Sequence, residues 1–168
     1  MTHSKPLIPI LRRGAILGAL TGLGVSAVYA GLLIAFFLLM VLYGAISSAS
    51  TNPSDAAMML LVGPASAGFM LLCAGFIGVL PGTILGLVIG LLISLPLALL
   101  HPHLSNGGAA VVGAVVSAGV VILIHIFLIR SDPNPTVQEY LFLTILPSPL
   151  CIAAGGWVGW KLHRSIEK

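Results

Sequence analysis

The chain has 168 residues, of which 58% are hydrophobic and only 7% charged, with a mean hydropathy of +1.16. Soluble domains carry about 25% charged residues, so this composition excludes a water-facing globular surface and specifies an all-α polytopic membrane protein. The net charge of +3 sits at termini, in short connections and at the edges of apolar runs, which makes membrane lipid a good partner and nucleic acid a poor one.

Four apolar blocks follow in chain order, at 14–46, 57–100, 107–129 and 138–162. The first is flanked by Arg12 and Arg13, and "VYA" at 28–30 imitates a signal cleavage site. Its apolar run continues to Ile46, beyond the roughly 7 to 15 residues of a signal h-region, so it reads as an uncleaved span. "SSASTNPSD" (47–55), "HPHLSN" (101–106) and "RSDPNP" (130–135) separate the blocks as turn-rich or proline-stopped connections. None exceeds about ten residues, so 1–168 reads as one transmembrane domain.

The second block, 57–100, would make a helix of roughly 66 Å, twice a bilayer. Pro81-Gly82 is a turn dipeptide that would cut it into 57–80 and 82–100, giving five spans. Charge argues for four crossings: Lys5, Arg12, Arg13, Lys161, Arg164 and Lys168 then share one side, against Arg130 alone. Four crossings make the block a tilted, kinked helix or one with a re-entrant part, and put both termini on the cytoplasmic side of what we expect to be a prokaryotic plasma membrane. The fourth block carries Tyr140 at one end and Trp157 and Trp160 at the other, roughly 30 Å apart, as an aromatic belt requires. "PSP" at 147–149 must kink or break that helix.

Glycine recurs at helical spacing. "GAILGALTGLG" (14–24) returns as "GTILGLVIGLL" (82–92), six of eleven positions being identical. Gly14, Gly18 and Gly22 fall on one face, as do Gly78, Gly82, Gly86 and Gly90. Ala109, Gly113 and Ser117 continue the habit in the third block, and Gly155 with Gly159 in the fourth. In lipid, small residues let backbones approach, so this pattern predicts glycine-zipper packing, antiparallel between the first two blocks if four crossings hold. An internal duplication is the lesser explanation, because eleven glycine and aliphatic residues can match by composition.

Reactive chemistry is sparse. "GLGVSA" (22–27) fits a dinucleotide pattern, but its flanks are membrane helix and position 42 is leucine instead of an acid. His101 and His103 are the only clustered metal-ligand types, and a site needs three or four. His125 is the one ionisable side chain within a span, hence a candidate cofactor ligand or proton relay, though it lies about 7 to 8 Å from the edge marked by Arg130. Cys73 and Cys151 read as buried free thiols, and Thr21, Ser26, Ser66, Thr83, Ser94, Ser117 and Thr144 as hydroxyls bonded to their own or a neighbouring helix. No span holds a carboxylate, and no acid pair, nucleophile–base pair or phosphate loop is visible. The expectation is therefore no enzyme and no cofactor, but a structural or accessory subunit packing against other membrane proteins or itself. A small pore or carrier for an uncharged or hydrophobic solute is the alternative.

Overall fold

The computed structural model of the chain describes residues 7–100, 103–131 and 145–167. Among these there is no strand. Five α-helices follow in order: α1 (Leu7–Ser48), α2 (Pro53–Cys73), α3 (Leu80–Leu100), α4 (Asn106–Ser131) and α5 (Ser148–Glu167). The first four are long and apolar enough to cross a membrane.

The boundaries decide between two readings at one proline and locate the break at others. Pro81-Gly82 is not a turn. Six residues, Ala74–Val79, form a π-helical segment that joins α2 to α3, with Cys73 and Leu80 on either side in right-handed helical conformation. A proline ring collides with the carbonyl four residues before it. The wider π turn ahead of Pro81 relieves that collision without ending the helix. At "PSP" the expected break is present: 146–147 form a turn and a helix starts after it. Ser148 opens α5, Pro149 occupies its first turn, and the Cys151 amide donates to the Pro147 carbonyl at 3.0 Å. Tyr140 and the rest of 132–144 lie outside the described residues.

Contacts divide the chain into two units, residues 1–25 with 82–168, and residues 26–81. In the first, Gly14 lies against Gly90 and Ser94, Gly18 against Gly86 and Gly90, and Gly22 against Gly82 and Gly86. One number rises as the other falls, so 7–25 and α3 run antiparallel. A Cβ on Gly18 would overlap the Gly86 carbonyl oxygen and stand 2.7 Å from the Gly90 Cα. A Cβ on Gly86 would overlap the Gly18 carbonyl oxygen and stand 2.7 Å from the Gly22 Cα. Gly78, grouped with these by spacing, faces open space. It belongs to the π segment, whose wider turn takes it out of the register of Gly82, Gly86 and Gly90.

The pair α4 and α5 repeats the device. Gly159 lies against Ala109 and Gly113, and Gly155 against Gly113 and Ser117, again antiparallel. Ile10, Ile93, Leu97, Ala109, Val158, Leu162 and Ile166 form one buried cluster that joins all four segments. The start of α1 and the end of α5 thus share an end of this unit, which carries Arg12, Arg13, Lys161 and Arg164. Arg130 closes α4, about 32 Å along that helix from Ala109.

The second unit is a helical hairpin of 26–48 and α2. The amides of Thr51 and Asn52 both donate to the Ser48 carbonyl, at 3.1 and 2.8 Å, and Pro53 starts the return helix. Its contacts are made by side chains. A Cβ on Gly63 would stand 2.5 Å from Val41 Cγ1, and one on Gly44 3.3 Å from Met59 Sδ.

Gly86→Leu forces α1 and α3 apart and should lower unfolding free energy by about 1 to 3 kcal/mol, the usual cost of overpacking. Gly119→Leu, where a Cβ meets nothing within 4 Å, should change it little. Denaturation by titration from mild into harsh detergent, followed by circular dichroism, measures both.

Candidate functional site

The basic end of the first unit carries the most developed polar arrangement among the described residues. Asn106 opens α4 and His163 lies in the last turns of α5, and antiparallel pairing sets them opposite one another. His163 is only 1% exposed, since it neighbours the core residues Leu162 and Ile166 on the same helix. Its Nδ1–H donates to Asn106 Oδ1 at 3.1 Å, which fixes the tautomer and satisfies a ring nitrogen that has left water.

Three cations lie at this end of the unit and each has a defined contact. Arg13 Nη1 donates to the Ser165 carbonyl at 2.8 Å, tying the start of α1 to the last turn of α5. Ser165 lies in the last turn of α5, where the negative end of the helix dipole favours a cation. Lys161 Nζ stands 6.0 Å from the centre of the Trp157 ring, and the Arg164 guanidinium 5.0 Å from that of Trp160. Both pairs are four residues apart on α5, within the range at which an aromatic face attracts a cation.

The residues singled out by sequence are dispersed. His103 is exposed between α3 and α4, and His101 lies outside the described residues. No three His, Cys, Asp or Glu side chains converge on a metal-sized space among the described residues. His125 is half-buried, its Nδ1–H donating to the Val121 carbonyl one turn back at 2.8 Å. Cys73 and Cys151 are free thiols, both half-buried. Thr21 and Ser94 donate to the carbonyls of Leu17 and Gly90, each at 2.6 Å, as intrahelical bonding predicts. Ser117 departs from that pattern: its hydroxyl is buried without a hydrogen-bond partner among the described residues and fills the space above Gly155.

The second unit contains a cleft of about 570 Å³ between 26–48 and α2. Phe37, Met40, Val41 and Gly44 line one side, and Asp55, Met58, Met59, Val62, Gly63 and Ser66 the other. Each set recurs at three- and four-residue intervals, so each helix contributes a single face.

Sequence reasoning missed His163, Asn106 and the cleft. His163 looked like part of a polar tail; the signal that could have found it is the apolar spacing Val158, Leu162, Ile166, which carries the core face past it. The cleft has no sequence signal, because its shape depends on how two helices diverge. Comparison of the chain with protein-family models, curated proteins and solved structures gives no match.

Asn106→Ala leaves the His163 Nδ1–H buried without its acceptor and should cost about 1 to 3 kcal/mol. A double-mutant cycle with His163→Leu should return a coupling of about 1 kcal/mol in detergent unfolding, as expected for residues in one hydrogen bond.

Proposed function

We propose that this protein is a non-catalytic integral membrane subunit that packs against other membrane proteins. The supporting observation is small-residue surface that its own helices leave unfilled. A Cβ on Gly24 or Gly119 in the first unit, or on Gly31, Gly68, Gly75 or Gly78 in the second, would meet nothing within 4 Å. Gly119 shares a face of α4 with Val111, Val115 and Leu123, all more than 60% exposed. Each such glycine costs about 1 kcal/mol of helix propensity against alanine in water. A helix that met only lipid would gain nothing in return, whereas a partner helix seated in the notch gains close backbone contact. The concentration of Arg12, Arg13, Lys161 and Arg164 at one end of the first unit favours a cytoplasmic location for both the start of α1 and the end of α5.

The test is purification at native expression level in mild detergent, followed by quantitative mass spectrometry. A partner subunit should copurify at fixed stoichiometry. Gly119→Leu and Gly68→Leu should release it while leaving the chain's own unfolding midpoint unchanged. A chain that purifies alone, and that raises solute flux when reconstituted alone in liposomes, would instead be a pore or carrier.

A further inference from the structure

The cleft in the second unit combines an apolar body with one charge. Residues 26–81 contain no lysine, arginine or histidine, and Asp55 is their only acid. Asp55 lines the cleft at the end nearest the hairpin turn, and Phe37 and Ser66 line the other end. From Asp55 to Ser66 the α2 wall rises roughly 16 Å. No described side chain neutralises the carboxylate. Asp55 stands in the first turn of α2, the end of a helix whose dipole attracts negative charge.

The wall between these ends suits variable apolar shapes. Three of the chain's five methionines, Met40, Met58 and Met59, lie along it. Thioether side chains are flexible and polarisable, and repack around different ligands. Gly44 and Gly63 keep the floor low, since a Cβ there would meet Met59 or Val41. A volume of about 570 Å³ falls within the range of sites for drug-sized molecules, and a lone carboxylate among apolar groups sets the sign of what enters.

We propose that this cleft binds a lipophilic cation, with the positive charge against Asp55 and the apolar body along Met40, Met58, Met59 and Val62. The site does not depend on the accessory-subunit reading, because it is built within one hairpin.

Tetraphenylphosphonium and tetraphenylborate, ions of similar shape and opposite charge, test it on the full chain in detergent micelles by equilibrium dialysis. The phosphonium should bind saturably and the borate should not. Asp55→Asn should weaken phosphonium binding by about tenfold or more, as loss of a contact to a charged group implies, and Asp55→Glu should restore most of it. Val62→Trp should block the cleft without touching the carboxylate, and each variant is checked for an unchanged circular dichroism spectrum. Equal binding of both ions, or phosphonium binding indifferent to Asp55→Asn and Val62→Trp, would overturn the proposal. Nanodiscs distinguish a free cation from a lipid ammonium headgroup. Equal affinity in phosphatidylethanolamine and phosphatidylglycerol supports the proposal, and competition by phosphatidylethanolamine alone overturns it in favour of the lipid.

Discussion

The first unit depends on the approach of backbone to backbone. Apolar helices in lipid gain no hydrophobic energy by touching, because a lipid tail is as good a neighbour as leucine. What remains is dispersion, which weakens steeply with distance, and weak Cα–H···O contacts. At Gly18 the hydrogen that replaces a side chain points at the Gly86 carbonyl oxygen, and the reciprocal contact runs from Gly86 to Gly18. Any side chain there would separate the helices along their length. The adjoining serines serve the same end: Ser94 bonds its hydroxyl back to Gly90 and fills the space over Gly14. A hydroxyl that satisfies itself on its own helix behaves toward its neighbour as a small, nearly apolar group.

Close packing of apolar segments fixes separation better than it fixes level, since neighbouring glycine registers resemble one another. The polar end supplies the missing constraint. His163 must lie level with Asn106, and Arg13 with Ser165, or a buried ring nitrogen and a helix-terminal carbonyl lose their partners. A slip by one turn would also displace Ile10 and Leu97 from Leu162 and Ile166. Of the cations at this end, Arg13 therefore contributes to register, because its partner lies on another helix.

Much of this was legible in the sequence, for stated reasons. Helices were readable because apolar length in lipid permits little else. The antiparallel sense was expected only if four crossings held, since five would have made the two glycine repeats parallel. Of the two readings of the second block, the cut at Pro81-Gly82 rested on the composition of a turn, whereas the backbone continues through a π segment six residues long. Which bonds absorb a proline depends on the preceding turn, and that has no signature in the dipeptide. His163 escaped notice because its neighbours Lys161 and Arg164 are charged, and burial of one helical position among exposed ones shows only when the helix is projected onto its partner. The cleft at Asp55 depends on divergence between helices, which local spacing does not encode.

The two units show what is lost when glycine contact gives way to side-chain contact. Where Gly18 meets Gly86 and Gly90, backbone touches backbone and no space is left for a third body. Where Gly63 meets Val41 and Gly44 meets Met59, one partner in each contact is a side chain. Between 26–48 and α2 lies a cleft, with Met40, Met58 and Met59 in its wall. In a segment otherwise free of charge, the one carboxylate at its mouth then has no competitor for a cation. Backbone contact at glycine leaves no room between helices in the first unit, whereas contact through side chains leaves a cleft in the second, and it is there that the proposed cation would sit.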